Sequence, residues 1–214
     1  MIAQPSAEES EQLIAGARLL DVHLGDAQAA RLLQLLDELT SWNRAYNLTA
    51  ISARAEMMRA HLLDSLSAAT DLAGTRIADV GTGAGFPGLP LAVAYPERSF
   101  TLIDSVAKKI RFVAHAVRLL ELTNVVPLQA RVESLAGEQS FDTVIARAFA
   151  PLPAMLASIR GITGRATRVL ALKGRYPHQE LTELPPGWRV DGVRTVLVPG
   201  LAAQRHIVRL SLNS

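Results

Sequence analysis

The sequence predicts an α/β fold: a mostly parallel seven-stranded sheet, closed by a C-terminal antiparallel hairpin and preceded by an N-terminal helical extension. Three observations carry this. From residue 76 onward, short β-prone runs alternate with helix-prone ones at βαβ spacing. The first of these runs enters a loop with glycines at 81, 83 and 85. The last two β-prone runs are separated by Pro199-Gly200 with no helix between them, which requires an antiparallel pair.

The elements follow in order. Residues 1–72 read as helical. Leu13, Ala17, Leu20 and Leu24 recur on one helical face, as do Leu32, Leu35, Leu36 and Leu39, and a third helical stretch runs from about Ala53 to Asp71. Strands are expected at Arg76–Val80, Ser99–Ile103, Val125–Leu128, Asp142–Ala146 and Thr167–Leu172, and the hairpin at Trp188–Val198 and His206–Leu212. Helices are expected at Leu89–Tyr95, Val106–Leu120, Arg131–Leu135 and Pro151–Ile159. Residues 1–72 are therefore expected to form an extension, and residues 73–214 one compact Rossmann-like unit.

Composition narrows the chemistry. The 214 residues contain no cysteine, which excludes disulfides, thiolate metal sites and cysteine nucleophiles. The five histidines show no ligand spacing, so no metal site is expected. The N-terminus is polar and acidic, and no run approaches the roughly 18 apolar residues of a membrane span. A cytoplasmic monomer without membrane contact is the expectation. Residues 1–75 carry 5 arginines against 10 acids, whereas residues 76–214 carry 17 basic groups against 10 acids. That asymmetry suits a polyanionic partner for the C-terminal part, or a solvated basic surface.

The loop after the first strand points to a nucleoside ligand. Glycines at alternate positions let the backbone turn and approach a bound molecule, and strand, loop and helix place that molecule at the carboxyl end of a parallel sheet. A dinucleotide fingerprint fails, because Phe86 stands where its third glycine belongs. The pattern is Asp79-x-Gly81-x-Gly83-x-Gly85, and the acid at 79 suits cationic groups such as the amine and sulfonium of S-adenosyl-L-methionine. Asp104 ends the second strand, 21 residues after Gly83, where an acid accepts ribose hydroxyls. Val132 and Glu133 follow the third strand, where an adenine ring would lie. Arg147 ends the fourth strand and can clamp a cofactor carboxylate or an RNA phosphate. Lys173-Gly174-Arg175 ends the fifth strand with two cations suited to phosphate. His61, Asp64 and Ser65 sit on one helix and lack a nucleophile elbow, which argues against a hydrolase.

Several pieces recur together: Asn43-x-x-x-Asn47-Leu48-Thr49, His61-x-x-Asp64-Ser65, Asp79-x-Gly81-Thr82-Gly83-Ala84-Gly85-Phe86-Pro87-Gly88, Arg131-Val132-Glu133, Arg147-Ala148 and Lys173-Gly174. The set resembles the bacterial 16S ribosomal RNA guanine-N7 methyltransferases, the glucose-inhibited division protein B family, over roughly residues 30–175. The resemblance implies a class I S-adenosylmethionine-dependent methyltransferase with cofactor contacts at Gly81, Phe86, Val132, Glu133 and Arg147. It implies 16S ribosomal RNA of the small subunit as partner. Apart from the resemblance, Arg111, Lys173, Arg175 and Asn47 are candidate RNA contacts, and Arg147 and Lys173 candidate positioning groups. No motif is matched in residues 1–25 or 176–214.

Guanine N7 carries an in-plane lone pair and no proton, so its methylation requires alignment and no general base. No catalytic residue is therefore assigned. The rival readings are a small-molecule methyltransferase and a non-catalytic RNA-binding assembly factor. The first would turn over without RNA, and the second would bind RNA regardless of Gly83 or Asp104.

Overall fold

The computed structural model describes residues 6–135 and 141–213; the helicity expected of residues 1–5 lies outside them. Helix α1 (Ala7–Arg18) starts where the Ser6 side chain accepts the Glu9 N–H at 3.2 Å, with Glu8 and Glu9 in the first turn. It ends sooner than its apolar stripe suggests. Asp21 adopts φ 59°, and the Val22 N–H reaches back to the Ala17 carbonyl at 3.0 Å, so Leu20 and Leu24 are buried from a turn. Helix α2 (Asp26–Tyr46) buries Leu32, Leu33, Leu35, Leu36 and Leu39. It stops at Asn47, a residue type that tolerates the left-handed conformation found there, φ 48°.

The third expected helix is broken into kinds. Helix α3 (Arg54–Met57) runs into a π-helical stretch, Met58–Leu63, and on into α4 (Asp64–Leu66), followed by a 3₁₀ turn at Ala69–Asp71. Strand β1 (Arg76–Val80), α5 (Gly88–Ala94), β2 (Ser99–Asp104), α6 (Ala107–Leu119) and β3 (Val125–Gln129) come next. The segment expected as a helix at Arg131–Leu135 is a 3₁₀ turn, Val132–Leu135. Strand β4 (Thr143–Arg147), α7 (Leu152–Ile159), β5 (Arg168–Lys173), a short α8 (His178–Thr182) that periodicity did not reveal, β6 (Trp188–Val196) and β7 (Arg205–Leu212) complete the chain.

The strands form one sheet in the order β3-β2-β1-β4-β5-β7-β6. The first five are mutually parallel, and β7 runs antiparallel to both β5 and β6. Each face is covered by its own apolar cluster. One joins the leucines of α2 to Leu89 and Leu91 of α5 and Phe112 of α6. The other joins Leu152, Met155 and Leu156 of α7 to Val144, Val169 and Val208 of the sheet. The N-terminal helices thus share a core with the sheet. Polar ties reinforce this: the Gln28 amide donates to the Val93 carbonyl at 2.9 Å, and Arg194 Nε of β6 donates to buried Asp71 at 3.0 Å. Among the described residues no helix is long and apolar enough to cross a membrane.

Candidate active site

The site is built at the carboxyl edge of β1, β2, β4 and β5. Gly81 and Thr82 donate their N–H groups to the Ile103 carbonyl at 2.9 and 3.0 Å, pinning the loop to β2. Gly81 has φ 68° and Gly83 φ 62°, values that favour glycine. Asp79 departs from the sequence expectation. It is completely buried, and its Oδ2 accepts from Thr82 Oγ1 at 2.6 Å and from the Gly88 N–H at 2.8 Å. It therefore braces the loop from beneath, away from the cleft surface. Burial pushes its carboxyl up to about 6 against the lowering pull of those two donors.

Two cavities meet above this loop. The larger, about 590 Å³, is lined by Gly83, Phe86, His61, Asp64, Arg147, Lys173 and Arg205 among others. The smaller, about 270 Å³, is lined by Asp104, Val132, Glu133 and Phe149. Gly81, Lys109 and Ala148 border both. The expected cofactor contacts are thus divided: Asp104, Val132 and Glu133 line the smaller cavity, Phe86 and Arg147 the larger, and Gly81 borders both.

In the smaller cavity Asp104 is buried and already bonded. Its Oδ2 accepts from the Gly83 N–H at 3.0 Å and its Oδ1 from the Val106 N–H at 2.9 Å, while Lys109 Nζ stands 3.3 Å away. Val132 is buried and Glu133 exposed. The backbone N–H of Glu133 and the Ser158 hydroxyl hold its carboxyl below the usual range. Ala148 takes φ 52°, an unusual conformation for alanine. Next to it, the Phe149 ring lies so close to Gly81 that a Cβ there would stand 2.4 Å from it.

The larger cavity is governed by a buried acid between two arginines. Asp64 Oδ2 accepts from Arg147 at 2.8 Å and its Oδ1 from Arg205 at 2.9 Å; Arg147 also donates to the Ala60 carbonyl at 2.9 Å. Arg147 stands 5.8 Å from the Phe86 ring centre. Phe86 stacks on His61 with centroids 4.8 Å apart. The His61 Nε2 lies 2.9 Å from Thr49 Oγ1, and Asn43 closes the same segment through two bonds to Thr49, at 2.8 and 2.9 Å. Burial, helped by nearby Arg147, lowers the His61 imidazole to about 4, so it is neutral at physiological pH.

Other sequence candidates lie at the rim. Lys173 reaches Glu180 of α8 at 2.7 Å and the Ala150 carbonyl at 3.1 Å, so much of its charge is answered within the protein. Arg175 and Asn47 are exposed and line neither cavity. Arg111 is exposed, with its guanidinium 5.9 Å from the Tyr46 ring centre. Three residues escaped sequence reasoning. Lys109 was signalled only by the Lys108-Lys109 pair opening α6. Phe149 stood unweighed in the segment after Arg147. Arg205 had no signal, since only the pairing of β7 with β5 brings it to the cleft. Among the described residues no group of three His, Asp or Glu side chains is arranged to hold a metal ion.

This sheet order, with a glycine loop after β1 and two joined cavities beyond the parallel strands, is the Rossmann-like architecture of the class I methyltransferases. The solved structure of the glycopeptide N-methyltransferase MtfA, complexed with S-adenosyl-L-methionine, matches with a TM-score of 0.62 at 10% identity, over 72% of this chain and 95% of that one. The family model described as rRNA small subunit methyltransferase G (GidB) matches residues 28–208, and the chain belongs to that family. The Ribosomal RNA small subunit methyltransferase G of Methylococcus capsulatus is 51% identical over 87% of this chain and 90% of its own length. That of Idiomarina loihiensis is 45% identical over 90% and 94%. The family match runs through the C-terminal hairpin to residue 208, beyond the segment where motifs are legible by eye.

Proposed function

We propose that this chain transfers the methyl group of S-adenosyl-L-methionine to N7 of a guanine in 16S ribosomal RNA. The observation that carries the choice of acceptor atom is the state of the larger cavity's two proton-accepting groups. Asp64 is engaged by Arg147 and Arg205, and burial lowers the His61 imidazole to about 4, making it a weak proton acceptor. An amine or hydroxyl acceptor would need a base to take its proton. Guanine N7 needs none.

The residues present fit the cofactor. A Cβ at Gly83 would meet nothing within 4 Å, so this glycine faces open cleft. We assign Asp104 to the ribose and Val132 with Glu133 to the adenine, a reading supported by their lining the smaller cavity, and Phe86 and Arg147, which line the larger, to the amino-acid end. Asp79 contributes through the loop it braces. When bound, the cofactor supplies an electrophilic methyl on sulfur. The chain's share of the work is alignment of N7 with that methyl, an effect that can supply about 7–11 kcal/mol. Exposed Arg175, Arg111 and Asn47, with Lys173 to the extent that Glu180 leaves its charge unanswered, would hold the RNA backbone.

The test combines the purified protein, labelled S-adenosyl-L-methionine and small subunits lacking the modification, followed by nucleoside analysis. Label in 7-methylguanosine is expected. Label in another nucleoside would overturn the acceptor atom. No transfer to RNA despite cofactor binding would return the reading to a small-molecule methyltransferase or a non-catalytic RNA-binding factor.

A further inference from the structure

Two exposed tyrosines lie two residues in sequence from segments that line the larger cavity, Tyr46 before Leu48 and Thr49, Tyr176 after Lys173 and Gly174. Tyr46 ends α2 at the side of β2, with 36% of its surface exposed. Its ring packs on Trp42 at 5.2 Å, the Arg111 guanidinium stands 5.9 Å from its centre, and Lys108 Nζ holds its carbonyl at 2.9 Å. Trp42 is itself wedged against Phe112 and His115, at 5.6 and 5.1 Å. Tyr176 follows β5 at the other side, 41% exposed, packed on His178 at 4.4 Å and against the edge of His206 at 5.5 Å. Arg175 is exposed beside it.

The sheet order separates these segments. Lys109, after β2, and Leu48 and Thr49, just beyond Tyr46, line the cavity at one end; Lys173 and Gly174, just before Tyr176, line it at the other. At the first rim a ring supported from within the protein and partly open to solvent stands beside the Arg111 guanidinium; at the second the ring is supported in the same way, and exposed Arg175 is its neighbour in sequence. A π-face with an adjacent guanidinium is the arrangement that holds an unstacked base and its phosphate, whatever the base. A partner protein would favour buried apolar surface at these places; the exposed cations favour a polyanion.

Resting on the functional reading above, we propose that Tyr46 and Tyr176 are stacking platforms for the nucleotides on either side of the target, so that single-stranded RNA spans the cleft while one base enters the cavity between them. The rims act as a pair, and each contributes one stacked base and one phosphate contact.

The experiment measures binding of a fluorescein-labelled single-stranded RNA of about ten nucleotides with one central guanosine, a length within the usual span of such grooves. Tyr46→Leu and Tyr176→Leu keep apolar packing and remove the ring. Each is expected to weaken binding roughly fivefold or more, with unchanged affinity for S-adenosyl-L-methionine and an unchanged salt slope. Tyr46→Phe and Tyr176→Phe should bind as the wild type does. Arg111→Gln should flatten the slope of log affinity against log salt by about 0.7, the signature of one phosphate contact on a single strand. Leucine variants that bind the oligonucleotide as tightly as wild type would overturn the proposal. So would leucine variants that bind it normally but fail only on whole subunits, since the tyrosines would then touch a ribosomal protein. If the wild type loses affinity on these substitutions yet forms no 7-methylguanosine on subunits, the methylation reading fails and the platforms stand.

Discussion

Two glycines two residues apart carry different burdens. At Gly81 a side chain would adopt φ 68° and drive its Cβ to 2.4 Å from the Phe149 ring. Gly81→Ala should therefore displace Phe149 and lower both thermal stability and cofactor affinity. At Gly83 the space is open, so the penalty of a left-handed residue, about 1–2 kcal/mol, leaves the fold intact. The side chain of Gly83→Val would nonetheless stand in the cleft and abolish cofactor binding. Calorimetric titration beside a thermal melt separates the two, and normal cofactor affinity in Gly83→Val would contradict the assignment. Two buried titrating groups also oppose each other. His61, lowered to about 4 from 6.5, favours the fold when neutral, so its contribution falls as pH drops from about 6.5 to 4. Asp79, raised to about 6 from 3.8, favours the fold when protonated, so its contribution rises over nearly the same fall in pH. The two contributions therefore work against each other over this range. Asp79→Asn, whose carbonyl can still accept from Thr82 and Gly88, should expose a loss of stability on acidification, and His61→Gln a gain. Denaturant midpoints between pH 4 and 6.5 that shift in the same direction for both would disprove this.

The π-helical stretch Met58–Leu63 is the element that changes most between sequence and structure. Periodicity showed a helix there, but a widened turn leaves no trace in apolar spacing; His61 and Asp64, three residues apart, share the side that lines the cleft, as they would on an ordinary helix. The strands were legible to within a residue or two because their runs are apolar and bounded by turn residues. Asp104, Val132, Glu133 and Arg147 were expected at or just past strand ends, and there they stand, lining the two cavities. Asp79 was misjudged, since a sequence does not show whether a carboxylate faces the ligand or the loop's own N–H groups. Arg205 was invisible, because its place depends on β7 inserting between β5 and β6. The Arg147–Asp64–Arg205 chain that results joins three elements. Asp64→Asn should lower stability by about 2 kcal/mol, since the acid is buried but its arginines are partly exposed. Combined with Arg205→Met, the loss should be less than the sum of the single losses. Additive midpoints in urea would show that the three do not act as a unit.

Across the whole molecule the charge asymmetry of the sequence becomes an arrangement. The acidic N-terminal segment supplies Asp64 and Asp71, which receive arginines from the basic half. Part of the C-terminal basic excess is therefore structural and part lies at the rim, free for a polyanion. RNA affinity should accordingly fall with salt less steeply than the 17 basic groups of that half would suggest, a slope measurable by filter binding. The two halves share one apolar cluster, which leads us to expect a single cooperative unfolding transition by calorimetry; two separate transitions would mark residues 1–72 as independent. The position of β7 adds a temporal consequence. It is the last strand in sequence, yet it lies inside the sheet, between β5 and β6. During synthesis on the ribosome, β5 presents an open edge and β6 has no neighbour until this strand emerges. The same strand delivers Arg205 to Asp64. A chain that stops short of this strand therefore lacks at once the neighbour of β5 and β6 and the arginine that completes the cleft.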